Sequence, residues 1–338
     1  MNRIVNKTTR LQEIEALLIA HPEGLTLTEI ARRLGVHRTT ISRNLHDVQA
    51  PIYEENGKLY LDRRGYLVNL RLSLHEALAV HLASRLLAAN LDRQNAHAAA
   101  ALRKISQAIS PLAPELARHI AGSAEEIDEL ARYDNPTYMR VLETLTEGWA
   151  SGYKVRVWHR KAAGAPLSCT VFSPYFIEPG AWGRATYVIG LREPPGEIRT
   201  LKIERIEQAE LLRERYEIPP EFNPYELLAD AWGIWYTDEE PVEVVLRFSP
   251  RVAGRVRETH WHPSQQLENQ PDGSVIWRAK VAEPKEMLYW VRGWGADVQV
   301  VEPAALCAEM AEVARAMAEQ YGWQVSPADD SLPANSLT

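Results

Sequence analysis

Apolar residues recur at helical spacing through the first fifty positions. Leu11, Ile14, Leu17 and Leu18 share one face of a helix over 9–21, which Pro22, Glu23 and Gly24 end. Thr26-Leu27-Thr28-Glu29 offers a cap and an acidic first turn to a second helix, whose stripe runs through Ile30, Ala31 and Leu34 to Gly35. A third helix turns Ile41, Leu45 and Val48 inward and stops at Pro51. The pattern then changes to short β-prone runs. Ile52–Glu55 and Lys58–Leu61 flank Asn56-Gly57, the strongest local hairpin signal in the chain.

Residues 73–131 read as helix, rich in Ala and Leu, with a capping-box match at Ser73-Leu74-His75-Glu76 and interruptions at Ser110-Pro111 and Ala113-Pro114. Pro136 opens another helix to about Trp149. Gly152 ends it, and a strand-rich block runs from Val155 to about Leu212. Pro219, Pro220 and Pro224 mark a linker. From Val242 the order is strand (Val242–Phe248), helix capped by Ser249-Pro250, strands Trp261–Glu268 and Val275–Ala282, helix from Pro284, strand Val298–Val301 and helix from Pro303. That β-α-β-β-α-β-α order predicts a ferredoxin-like sandwich. The polar run 326–338 predicts a disordered tail.

The most specific chemistry lies in the first block. A helix-turn-helix needs a small residue where its helices cross (Ala31), a glycine turn (Gly35) and an apolar plug (Val36). With Ile41, Leu45 and Val48 inward, Arg38, Thr39, Ser42, Arg43 and His46 point outward, where a major groove would lie. Arg38 and Arg43 can pair with guanine or phosphate, while Thr39, Thr40 and Ser42 can reach backbone oxygens or thymine methyls. Lys58, at the tip of the hairpin wing, would lie along adjacent phosphates. Winged helices also dock proteins, so a protein-binding adaptor that uses the winged helix and an acidic C-terminal region is the alternative.

Charge changes this picture only when divided by region. The net charge is −7. Residues 217–338 carry 9 basic and 20 acidic side chains, against 10 and 8 over 1–68 and 12 and 9 over 137–216. The acidity is therefore remote from the predicted DNA reader and leaves it free to hold phosphate. Cys169 and Cys307 are far apart, which excludes a zinc motif and predicts two buried thiols in a reducing cytoplasm. Met1–Lys7 contains no apolar segment, and no membrane span or signal peptide is predicted. His260-Trp261-His262 has strand spacing for metal ligands but lacks a third ligand, and capping or solvated histidines are the expectation. No catalytic, nucleotide-loop or metalloprotease motif occurs, so no enzyme activity and no cofactor are predicted. Trp232, Trp235, Trp277, Trp290 and Trp294 are expected in a core or dimer contact.

Three runs in the middle block carry a family resemblance: Phe172-Ser173-Pro174-Tyr175-Phe176-Ile177-Glu178-Pro179, Gly183-Arg184-Ala185-Thr186-Tyr187-Val188-Ile189-Gly190 and Ile198-Arg199-Thr200-Leu201-Lys202-Ile203-Glu204-Arg205-Ile206. Together they resemble the WYL domain, with Thr186-Tyr187-Val188 in place of the Trp-Tyr-Leu triplet and Arg199 and Arg205 as the paired arginines. With the winged helix before and the β-α-β-β-α-β region after, the chain is similar to bacterial WYL-domain transcription regulators. The resemblance implies a small Sm/SH3-like β-barrel that senses a nucleic acid or nucleotide. It assigns effector contacts to Tyr175, Arg184, Tyr187, Arg199 and Arg205, an arrangement in which a base stacks beside guanidiniums. On the residues alone an alternative stands: Tyr187 in the core, with the arginines paired to Glu197, Glu204 and Glu207.

The expected architecture is α+β and multidomain. It comprises a winged helix-turn-helix (1–68), a helical linker and dimerisation region (69–135), a WYL effector domain (136–216), a linker (217–240), a C-terminal extension domain (241–325) and the tail. The expected partners are a double-stranded DNA operator, a nucleic-acid or nucleotide effector and a second copy of the chain.

Overall fold

The computed structural model describes residues 7–48, 50–62, 72–90, 95–129, 136–180 and 185–324. The expected tail therefore lies outside the described residues. The chain divides into two compact units, Met1–Ala83 with Gln107–Ala117 and Ser84–Ser106 with Arg118–Thr338. The stretch read as one helical linker is thus shared between them.

In the first unit, helices α1 (Lys7–Ala20), α2 (Leu27–Leu34) and α3 (Arg38–Leu45) precede a hairpin of β1 (Ile52–Glu55) and β2 (Lys58–Leu61). Ile14, Leu18, Ile30, Ala31, Ile41, Leu59 and Leu61 form their common core. The α2 start is a full capping box. The Glu29 amide donates to Thr26 Oγ1 at 3.2 Å, and the Thr26 amide donates to Glu29 Oε2 at 2.8 Å, so two donors the helix cannot satisfy are paired reciprocally. Gly35 ends α2 in the left-handed region at φ 65°, and the Val36 amide turns back onto the Ala31 carbonyl at 3.0 Å. Asn56 and Gly57 both have positive φ, 52° and 74°, the conformation that joins two twisted strands in two residues.

Three helices follow: α4 (Leu74–Asn90), α5 (Ala96–Ile109) and α6 (Pro114–Glu129). The Ser73–Glu76 capping box forms at the start of α4. Arg85 on α4 and Arg103 on α5 pair with Glu126 and Asp128 of α6.

Helix α7 (Pro136–Ser151) opens the next layer and lies on a five-stranded antiparallel sheet ordered β6-β5-β4-β3-β7. The strands are β3 (Tyr153–Arg160), β4 (Leu167–Gly180), β5 (Ala185–Glu193), β6 (Glu197–Lys202) and β7 (Ile206–Arg215). Tyr138, Val141 and Leu145 of α7 bury the face carrying Val155, Val157, Phe172, Val188 and Leu201. The helix comes close because Gly148 has no side chain; a Cβ there would stand 2.5 Å from Val155 Cγ2. Strands β6 and β7, at opposite edges, are joined by one 3-10 turn, Ile203–Arg205, so the sheet must curl to bring its edges one turn apart.

The last region builds a four-stranded antiparallel sheet ordered β11-β8-β10-β9, from β8 (Val242–Phe248), β9 (Gln266–Asn269), β10 (Val275–Val281) and β11 (Val298–Glu302). A one-turn helix α8 (Pro224–Leu227) lies in the preceding linker, and α9 (Ala253–Glu258), α10 (Leu288–Gly293) and α11 (Ala304–Gln320) complete the layer. Trp232, Trp277 and Trp290 are buried in its core, with Trp261 and Trp294 packed against them. Trp235 lies outside that core and is exposed. The expected strand Trp261–Glu268 is also shorter, because the Trp261 and His262 amides both donate to Gln265 Oε1 and fold 261–265 into a turn. His260 and His262 therefore do not share a strand face: His260 is exposed, and His262 is buried parallel to Trp232. Among the described residues no cluster of three His, Cys, Asp or Glu could hold a metal, and no helix is long and apolar enough to cross a membrane. Cys169, expected buried, is exposed on β4, whereas the half-buried Cys307 donates its thiol to the Val300 carbonyl.

Candidate functional site

Helix α3 carries the sequence-predicted DNA contacts in the expected orientation. Ile41 and Asn44 are buried, while Arg38, Thr39, Ser42, Arg43 and His46 are exposed and Thr40 is half-buried at the margin. His37, unremarked in the sequence, caps the helix by accepting the Thr39 amide on Nδ1. Asn44 points inward, and its Oδ1 accepts a bond from Arg10 of α1 at 3.2 Å. The adjacent Asp47 is paired with Lys7 at 3.0 Å, which offsets a carboxylate beside the reading face. The wing differs from expectation. Its tip is Asn56-Gly57; Lys58 follows the tip, half-buried, with Nζ 3.3 Å from the Glu23 carbonyl. Glu54 and Glu55 are exposed beside it, so the described wing is no basic strip.

The sequence-predicted effector residues are not one constellation. Arg184 lies outside the described residues. Tyr175 sits at a register shift of β4, where its ring is buried parallel to Tyr216 (5.8 Å) and edge-on to Phe222 (5.0 Å). Tyr187 pairs with Lys202 on β6 and Glu178 on β4, whereas Arg199 pairs with Gly190. Directly opposed residues share a face and neighbours alternate, so Tyr187 and Arg199 leave opposite faces of the sheet. Strand β6 ends at Lys202, so Arg205 belongs to the 3-10 turn, and its Nη1 donates to the Lys161 carbonyl at 2.6 Å. Part of the alternative holds: Arg199 pairs with Glu197, and burial pushes the half-buried Tyr187 hydroxyl above its usual pKa.

The helix-covered face instead groups Arg205 with His159, Arg192 and Lys161, none of which the sequence singled out. Along β3, Val155 and Val157 enter the core and the next residue on that face is His159. Arg192 shares the face through its pairing with Phe172, and Arg205 and Lys161 lie beside His159 because His159 pairs with Ile206. Glu197 is the carboxylate that Arg192 (3.9 Å) shares with Arg199. The run Val155-Arg156-Val157-Trp158-His159-Arg160-Lys161 held the signal, an apolar alternation that turns polar on its inward side.

Sequence comparison agrees with this division. Family models match in order: a helix-turn-helix domain over residues 10–46, a WYL domain over 140–211 and a WCX domain over 240–318. The chain thus carries a helix-turn-helix, a WYL and a WCX domain in that order. No curated protein matches it. Among solved structures it is similar to Proteasome accessory factor B/C (PafBC) of Arthrobacter aurescens, at 16% identity and TM-score 0.32, over 94% of this chain and 49% of that one. It is also similar to a CRISPR Cas-related protein, at 14% identity and TM-score 0.40, over 62% and 60% of the respective chains. The chain thus spans about half the length of the PafBC structure.

Within the WYL domain, His159 is held below its ordinary pKa of 6.5, first by burial and then by Arg205, Arg192 and Lys161. The unfolded chain consequently takes up the proton more readily. Its contribution to stability falls as pH drops below about 6.5 and is fully lost once the folded-state value is passed. His159→Gln is expected to lose less stability than the parent between roughly pH 7.5 and 5.5, measured by urea unfolding. An equal loss would place the pH response elsewhere.

Proposed function

We propose that this regulator reads a specific duplex operator as a homodimer, and that a nucleic acid or nucleotide bound at the WYL domain sets its affinity for that operator. The proposal includes action in the cytoplasm, no catalysis, an Sm/SH3-like barrel for the five-stranded sheet and a ferredoxin-like sandwich for the four-stranded one. The observation that carries operator reading is the exposed stripe Arg38, Thr39, Ser42, Arg43 and His46 on a helix whose other side is buried. Two guanidiniums flanked by short hydroxyls suit base edges and phosphates, and half-sites one helical turn apart require two such heads. The grouping of His159, Arg192, Arg205 and Lys161 supports an anionic effector, since phosphate relieves the repulsion among these cations. For the effector to regulate, it must bind one state of the chain better than another.

The test selects duplexes from a random pool with the full chain, then titrates the selected operator with and without a single-stranded oligonucleotide. A defined motif should emerge, and the oligonucleotide should shift operator affinity by about threefold or more, within the usual range of coupling. Arg205→Ala should reduce that shift. Failure to enrich any motif would overturn operator reading; an enriched motif indifferent to the oligonucleotide would overturn effector control.

A further inference from the structure

Within the second unit a cleft of about 310 Å³ is lined by Arg199, Thr200, Ile234, Trp235, Tyr236 and Glu283. Arg199 and Thr200 come from β6, an edge strand whose outer row of backbone groups the sheet leaves unused. Ile234, Trp235 and Tyr236 belong to the segment leading into the C-terminal sheet. One carboxylate fixes that segment: Glu286 accepts the amides of Gly233 (2.9 Å), Ile234 (2.8 Å) and Trp235 (3.1 Å). Trp232 is locked in the aromatic core on one side, and the Ala282 amide bonds the Asp230 carbonyl at 2.7 Å. With Ile234 buried, the chain turns the next side chain out, and Trp235 is left 52% exposed on a backbone that cannot swing away.

A large apolar ring held rigidly at the wall of a cleft is costly to leave in water unless something covers it. The other walls say what fits. Glu283 supplies an acceptor for N–H donors, Arg199 a guanidinium, and Thr200 and Tyr236 hydroxyls. The volume is at the small end for ligand sites and suits a single ring system with one attached group. Arg199 shares Glu197 with Arg192, so the cleft opens beside the cationic group around His159.

We propose that this cleft is the base pocket of the effector: one nucleobase stacks on Trp235, its exocyclic amine donates to Glu283, and the adjoining phosphate pairs with Arg199. The inference rests on the effector reading above and adds the C-terminal segment to the site. A bound base would bridge the edge of the WYL sheet and the segment anchored by Glu286, so occupancy would join these two parts of the unit.

The test is fluorescence anisotropy on the full chain, with a labelled mixed-sequence single-stranded DNA of about ten nucleotides and an abasic strand of equal length. Trp235→Ala should weaken the base-containing strand about tenfold, the scale of one stacked base, and leave the abasic strand unchanged. Trp235→Phe, which keeps a stacking face, should stay within about threefold of the parent. Competition by a nucleoside monophosphate displaces the strand if the natural occupant is a free nucleotide, and fails to if it is part of a strand. Equal weakening of both strands by Trp235→Ala would overturn base stacking. If Trp235→Ala changes neither strand while Arg205→Ala weakens both, the base pocket falls and the effector reading stands. If the parent binds neither strand, both fall.

Discussion

A chain carrying Arg38→Ala and Arg43→Ala is expected to bind its operator about a hundredfold or more weaker while keeping its fold. Each bidentate arginine–base pair is worth about 1–3 kcal/mol, and removing an arginine that holds a phosphate also lowers the salt slope by about one. Both side chains are exposed, whereas the residues that hold α3 in place, Ile41 and Asn44, are buried and untouched. Alanine is the better helix former, and removing Arg38 from the first helical position takes a cation away from the positive end of the helix dipole. Arg43 lies in the last turn, where a cation favours the helix, so the two dipole effects offset and the melting temperature should stay level. Titration of the selected operator at two salt concentrations separates the two effects: a weaker sequence preference reports base recognition, and a reduced salt slope reports phosphate binding. Unchanged operator binding would remove α3 as the reader and favour a protein-docking role for the winged helix.

The winged helix was legible because its signals are local. Thr26 and Glu29 satisfy each other within one turn, Gly35 supplies the left-handed residue, and Asn56-Gly57 sets its own turn type. None of these depends on a distant partner. The effector region was legible as a domain but not as a site. Its residues are sorted by strand register, and a bulge beside Tyr175 or a strand ending at Lys202 moves a side chain to another face without changing composition. Thr186, where the family carries tryptophan, is buried and bonded to the Tyr138 hydroxyl at 2.9 Å, a partner on a helix much earlier in the chain. Tryptophan is usually buried, and Trp235 carries no sequence signal that separates it from the core tryptophans. Its exposure is decided by Glu286, which lies beyond three further strands.

Trp277→Ala is expected to unfold the C-terminal sheet selectively. Trp277 is fully buried in the middle of β10, which pairs with β8 on one side and β9 on the other. Its ring meets Trp232 at 6.1 Å and Trp290 at 5.7 Å, and its Nε1 donates to Gln265 Oε1 at 3.2 Å. Truncation to alanine costs about 3–5 kcal/mol for the reduced burial and the cavity, a large share of what a domain of this size has to spare. Trp277→Phe keeps much of the volume and gives up the indole bond, so it should fall between the two. Hydrogen exchange on the full chain distinguishes local from global damage. Amides of β8 and β10 should lose protection, while those of α2 and α3 keep theirs, because Ile14, Leu18, Ile30 and Ile41 form a separate core. Trp232 packs on the same aromatic cluster, so the segment that presents Trp235 should loosen with it. The variant should then bind operator duplex through α3 but no longer respond to a single-stranded oligonucleotide. Loss of both together would mean that the C-terminal sheet supports the DNA-reading unit directly; retention of both would detach the Trp232–Trp235 segment from effector sensing.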